Sequence, residues 1–160
     1  MQTERIEIFT DGSARGNPGP GGYGIILKYK GSIKEISQGF RLTTNNRMEL
    51  LGVITALKHL KSNKIPITIY SDSKYVIDAI QQKWVNGWVK TGFKNKKNKD
   101  LWMQWLQLAP TFQIELIWVK GHAGHPENER CDELAVNAAL GNQLLIDEEF
   151  ERLKENETLL

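Results

Sequence analysis

Two short stretches of the chain end alike: IEIFTDGS, from Ile6 to Ser13, and ITIYSDSK, from Ile67 to Lys74. In each, Ile-x-Ile leads to an aromatic residue, a small hydroxyl residue and an aspartate. Side chains two apart on a strand share a face, so Asp11 is in phase with Phe9 and Asp72 with Tyr70. If the two strands lie parallel and adjacent, both carboxylates emerge at one carboxyl edge, where α/β sheets form their ligand crevices. Glu49 supplies a third acid. At about 100° per residue it points the same way as Val53, Ala56, Leu57 and Leu60, the helical stripe that turns toward a sheet. A lone early glutamate would be assigned to the helix dipole; this one is aimed at the sheet that carries the other two acids. Asp132, in HPENERCDELA, is by itself indistinguishable from its neighbours Glu127, Glu129 and Glu133.

Carboxylates brought together repel and take up protons unless a cation holds them ionised. An oxygen-only ligand set suits Mg2+ or Mn2+. Two such ions roughly 3.5–4 Å apart stabilise both the attacking and the leaving oxygen of a phosphoryl transfer. The expected chemistry is therefore metal-assisted and needs no cysteine or serine nucleophile.

The elements that must position these acids follow from periodicity. Ile6 to Asp11, Gly22 to Lys30 and Ser32 to Leu42 read as an antiparallel meander. Asn45 to Leu60 is helical, with Asn45 or Asn46 as its N-cap. Ile67 to Asp72 is a strand, Ser73 to Gln82 a helix, Asp100 to Leu108 a helix capped by Asp100, Gln113 to Val119 a strand, and Glu127 to Leu140 a helix stopped by Gly141. Three antiparallel strands followed by strands alternating with helices predict an α/β fold with a mixed five-stranded sheet. The expected division is a catalytic domain over 1–141 and an acidic tail over 142–160, for which a short docking helix and a frayed end are both open.

The length, 160 residues with 40% hydrophobic content, suits one domain with a real core. No signal peptide or membrane span is expected, and the lone Cys131 fits a reducing, cytoplasmic setting. Net charge is +2, but the tail holds six acids against two bases, which leaves 19 basic and 13 acidic residues in 1–141 and inclines that part toward polyanions. Between Lys83 and Lys99 six lysines are interleaved with Trp84, Trp88 and Phe93 and no acid, a pattern that suits a nucleic-acid contact. Two motifs mislead. GPGGYG, Gly19 to Gly24, fits a dinucleotide fingerprint but runs into the strand-like IILKYK, so a turn is expected instead. His122, His125 and Cys131 lack the paired spacing of a zinc site; His125 is expected to anchor its loop.

The segments IFTDGSARGNPGPGGYG, TTNNRMEL, SDSKYV and WVKGHAGHPENERCDELA, in this order from about Glu4 to Leu140, resemble the type 1 ribonuclease H family in its free-standing bacterial form. The resemblance implies the ribonuclease H-like sheet flanked by helices, and hydrolysis of the RNA strand of an RNA–DNA hybrid to 5′-phosphate and 3′-hydroxyl ends, by a monomer without an obligate protein partner. By the same likeness Asp11, Glu49, Asp72 and Asp132 hold two Mg2+ ions, with Mn2+ able to substitute, and His122 serves proton transfer or product release. Asn45, Asn46 and the Gly12-Ser13-Ala14 segment match the minor-groove contacts that read a 2′-hydroxyl; many members carry cysteine where this chain has Ala14. Asn17 and Thr44 match contacts to the DNA strand. Trp84, Lys90, Lys94, Lys96, Lys97 and Lys99 match the basic protrusion, Trp88 being the packing residue there, and one extra residue between Asp72 and Trp84 affects the register at 81–83. A non-catalytic hybrid-binding module of this fold would lack an essential acid. Integrases, transposases and junction resolvases would lack the combined TTNNRMEL and GHAGHPENERCDE.

Overall fold

The computed structural model describes residues 4–121 and 124–158. Strands β1 (Ile6–Ala14), β2 (Gly19–Tyr29) and β3 (Ser32–Thr43) form the antiparallel meander. Helix α1 (Asn45–Lys58) leads to β4 (Ile67–Ser71), which pairs with β1 in parallel, and β5 (Ile114–Trp118) adds to β4 in parallel. Between β4 and β5 lie α2 (Lys74–Gln81), α3 (Trp84–Lys90), α4 (Lys99–Leu108) and one 3-10 turn. Helix α5 (Pro126–Leu140) follows, then β6 (Leu144–Leu145) and α6 (Glu148–Thr158).

The sheet thus has six strands in the order β5-β4-β1-β2-β3-β6, one more than periodicity predicts. The extra strand is only two residues long, too short to show alternation, and it runs parallel to β3 through Gly39 and Phe40. No described helix is long and apolar enough to cross a membrane.

One face of the sheet carries the main core. There Ile8, Ile25, Ile67 and Ile69 meet Leu50, Val53, Ile54 and Leu57 of α1, all at most 1% exposed, with Trp102 of α4 closing one side. Each such side chain contributes about 1.5–3 kcal/mol by leaving water. On the other face α5 covers Phe9 and Ile26 with Cys131 and Leu134. Each of the two helices is therefore tied to β1 from its own side.

Local details differ from the sequence expectations. Thr44, not an asparagine, caps α1: its hydroxyl accepts from the Arg47 N–H, while the Asn45 N–H donates to Asn17 Oδ1 at 3.0 Å. Asp100 does not cap α4; Asn98 stands there in a left-handed conformation, and the Asp100 carboxylate is engaged by Arg47. GPGGYG is the start of β2 and not a turn, because its backbone pairs with both β1 and β3.

Candidate metal centre

The β1–β4 ladder ends with Phe9 beside Tyr70 and Thr10 beside Ser71, so Asp11 and Asp72 follow at adjacent positions of one sheet edge. The in-phase aromatic rings stack, centroids 4.7 Å apart, and fix the relative height of the two strands behind the acids. Asp11 still lies within the β1–β2 ladder, opposite Gly24, which holds its backbone rigid. Asp72 is braced as well: its carbonyl accepts from Trp118 Nε1 at 3.2 Å, and the Lys74 ammonium sits 4.7 Å from the centre of that indole. Sequence reading missed this brace, since nothing local links Lys74 to Trp118; the one available signal was Trp118 near the end of the strand expected over Gln113 to Val119.

Glu49 arrives from the opposite face. A side chain at Gly12 would collide with the Glu49 amide nitrogen, so α1 reaches β1 only over a glycine. The outcome is a trio from three distant parts of the chain: Asp11, Glu49 and Asp72 each offer a carboxylate oxygen, and these oxygens all lie within 4.8 Å of one another. Asp11 and Glu49 are 5% and 6% exposed. Asp11 Oδ1 accepts from the Gly12 N–H at 2.9 Å, whereas Glu49 Oε2 is sealed from water and receives no hydrogen bond from the described residues. A buried carboxylate oxygen without a donor costs several kcal/mol unless it takes a proton or meets a cation. Burial is also the first cause that lifts the Asp11 carboxyl to about 8, with the Asp72 charge second and Asp132 a weaker contributor. Burial, then Asp11 and Asp72, lifts Glu49 in the same direction. The cluster fits a divalent cation: it is all oxygen, its charges repel when bare, and one oxygen lacks a partner.

Burial of the Asp11 carboxyl, and after it the repulsion from Asp72, predicts a pH signature. Asp11 holds its proton in the fold up to about 8 but releases it at 3.8 when unfolded, so the unfolded state carries fewer protons between these values and stability falls as pH rises through them. In chelator, Asp11→Asn should therefore raise stability at pH 8 by on the order of 2 kcal/mol, roughly 4–8 °C in Tm, and change nothing near pH 3. A thermal melt series over pH checks this; a loss of Tm at pH 8 would contradict it.

Asp132, on α5, is half-buried and near enough to be felt by Asp11, without belonging to the close trio. His122 lies outside the described residues. The zinc alternative finds no support among the described residues. His125 Nδ1 accepts from the Asn128 N–H to cap α5, and the buried Cys131 thiol donates to the Phe9 carbonyl while burial pushes its titration up, so no thiolate is offered.

Around the acids, Ser13 and Ala14 extend β1 and are half-buried, and Asn17, Asn45 and Asn46 are exposed beside the N-terminus of α1, where Thr44 is its cap. From α3 through the following loop to the first residue of α4, Trp84 is 50% exposed and Lys90, Lys94, Lys96, Lys97 and Lys99 face solvent. Trp88 packs edge-on against Trp102 and Phe93, with the Lys96 ammonium 5.2 Å from its ring centre.

Comparison with known proteins points to one family. The RNase H family model matches residues 3–140. Proteins named Ribonuclease H from Desulforamulus reducens and Edwardsiella ictaluri are 52% and 54% identical over 149 and 141 residues. The first alignment covers 90% of this chain and 93% of the relative, the second 85% and 90%. Among solved structures, LC9-RNase H1, described as a type 1 RNase H with the type 2 active-site motif, superposes with a TM-score of 0.74 at 32% identity, covering 96% of this chain and 82% of that one. LC11-RNase H1, solved in complex with an RNA/DNA hybrid, gives 0.63 at 26%, covering 84% and 96%. With three acids converging where the motifs place them and a family match that runs through nearly the whole folded chain, the protein belongs to the ribonuclease H family.

Proposed function

We propose that the protein cuts the RNA strand of RNA–DNA hybrids at the Asp11–Glu49–Asp72 edge, with Asp132 completing the acid set and Mg2+ as the working ion, two per site, for which Mn2+ can substitute. The observation that carries this reading is the convergence of three carboxylates within 4.8 Å around a Glu49 oxygen that receives no hydrogen bond from the described residues. When bound, the ions supply charge stabilisation for the attacking and departing oxygens at phosphorus. Everything else falls to the chain. Asp11 and Asp72, held by paired strands, fix where the phosphate must sit. Glu49 enters from α1 at a height set by Gly12. His122 is assigned to proton transfer or product release, and the products carry 5′-phosphate and 3′-hydroxyl ends.

Selection of the hybrid is assigned to the surroundings. The exposed amides of Asn45 and Asn46 can both donate to and accept from a 2′-hydroxyl, with the Gly12-Ser13-Ala14 segment alongside. Asn17 and Thr44 face the DNA strand, Trp84 offers a flat surface to a sugar, and Lys90, Lys94, Lys96, Lys97 and Lys99 grip the DNA backbone. The protein acts in this reading as a cytoplasmic monomer, in keeping with its single buried thiol.

Labelled hybrid, duplex DNA and duplex RNA, each with and without chelator, test the proposal. Cleavage confined to the RNA strand of the hybrid and lost in chelator is expected; cutting of duplex DNA but not hybrid would overturn it. Substituting Lys94, Lys96 and Lys97 together by Gln should weaken hybrid binding and reduce the slope of log affinity against log salt by about 2–3. A slope equal to that of the parent would remove this loop from the interface.

A further inference from the structure

The approach of α1 to the acids is set by a glycine, and the approach of α5 is set the same way from the other face. Gly24 sits directly opposite Asp11 in the β1–β2 ladder, and cross-strand partners point to the same side of a sheet. A carbon added at Gly24 would overlap the Cys131 carbonyl oxygen and stand 2.8 Å from Leu134 Cβ and 3.1 Å from the Ala135 nitrogen. Cys131 is fully buried, its thiol donating to the carbonyl of Phe9, two residues before Asp11. The first half of α5 therefore rests backbone to backbone on the strand pair that carries Asp11, and Asp132 is the next residue along.

We infer that Gly24 is a positioning residue for Asp132: the absence of a side chain there lets α5 settle deeply enough for Asp132 to face the carboxylate trio. The inference rests on the hybrid-hydrolysis reading only in assigning Asp132 to that reaction. A methyl group at Gly24 must lift this part of α5 by roughly 1 Å to restore ordinary carbon–oxygen contact, and Asp132 moves with it. A displacement of that size at a reacting centre costs about 100-fold in rate.

Two other glycines separate positioning from packing. Gly22 lies under the Ala135 carbonyl, where an added carbon would be 2.8 Å away, and Gly39 lies under the Ala138 carbonyl, where the overlap is the most severe of the three. Along the helix these contacts fall roughly 4.5 Å and 9 Å beyond Asp132. If the glycines only serve packing, losses should follow overlap, with Gly39 first, Gly24 second and Gly22 third. If they position Asp132, losses of turnover should follow distance from it, with Gly24 first, Gly22 second and Gly39 third.

The test uses Gly24→Ala, Gly22→Ala, Gly39→Ala, Asp132→Asn and the pair Gly24→Ala with Asp132→Asn. Cleavage at saturating hybrid, hybrid Kd, Tm and Mn2+ affinity by electron paramagnetic resonance are measured for each. Gly24→Ala should lower kcat by roughly 10–100-fold with Kd unchanged, Gly22→Ala less, and Gly39→Ala by under about threefold although it melts at least as early. Added to Asp132→Asn, Gly24→Ala should change kcat by less than about threefold, because two changes acting through one group are not additive. Losses of kcat ranked by Tm, or an additive pair, would overturn the inference. If Gly24→Ala does not fold, Gly22→Ala and its own pair with Asp132→Asn decide by the same criteria. A parent protein that binds Mn2+ but leaves hybrid uncut would sink the hybrid reading alone. Mn2+ affinity would then carry the test: Gly24→Ala and Asp132→Asn should weaken it alike and non-additively, and Gly39→Ala should not.

Discussion

Replacing Asp11 or Asp72 with asparagine should lower the rate of hybrid cleavage by at least about 1000-fold, roughly 4 kcal/mol of barrier, while hybrid Kd moves by less than about threefold. The substitution keeps shape and removes one negative charge from a cluster whose only useful property is its charge. Binding is retained because the groups assigned to the hybrid, the asparagines at α1 and the lysines after α3, lie outside the acid cluster. Instability offers no escape from this test for Asp11, since removing a charge that is buried and repelled by Asp72 should make the metal-free fold more stable at neutral pH and above. Single-turnover cleavage, hybrid titration and a melt on the same samples separate the outcomes. A variant that unfolds, or loses binding along with cleavage, would mean that these acids are structural.

The second large effect is one of stability. Arg47, with its side chain 3% exposed, gives Nε and Nη2 to the two oxygens of Asp147 at 2.8 and 2.9 Å, and Nη1 and Nη2 to those of Asp100 at 2.8 and 2.7 Å. Asp147 also accepts from the Thr43 hydroxyl at 2.8 Å, and the Phe150 ring lies 5.8 Å from the guanidinium carbon. One planar cation thus ties α1 to the start of α4 and to the segment joining β6 and α6. Arg47→Ala leaves Asp147 buried without its cation, and should cost about 3–5 kcal/mol, on the order of 10 °C in Tm. Arg47→Lys should recover little, because a single ammonium cannot bridge two carboxylates bidentately. Hydrogen exchange should show early loss of protection over 144–158. A cost below about 1 kcal/mol, or unchanged protection there, would contradict this role.

How much the sequence reveals depends on how far apart the partners lie. Asp11 and Asp72 were legible because a strand has period two and both acids end the same six-residue pattern. Glu49 was legible because helical spacing put it on the stripe with Val53, Ala56 and Leu57, which the fold buries completely or nearly so. The tail was not legible: its order depends on Asp147 meeting Arg47 a hundred residues earlier, and no local pattern records that pairing. Helix α3 was hidden for a related reason. It begins after Lys83, in a left-handed conformation that glycine would have advertised and that lysine does not. Periodicity left Asp132 ambiguous among four acids of one helix, and only the family resemblance singled it out. Spacing within an element was readable; the approach of one element to another was not.

In the proposed reading, carboxylates from three distant segments hold divalent cations at one sheet edge. Anomalous diffraction from crystals soaked in Mn2+ tests it most directly. Density should appear between Asp11, Glu49 and Asp72 at roughly 2.2 Å from their oxygens, with Glu49 Oε2 among the ligands. Mn2+ density elsewhere in the molecule with none at this trio would contradict the account.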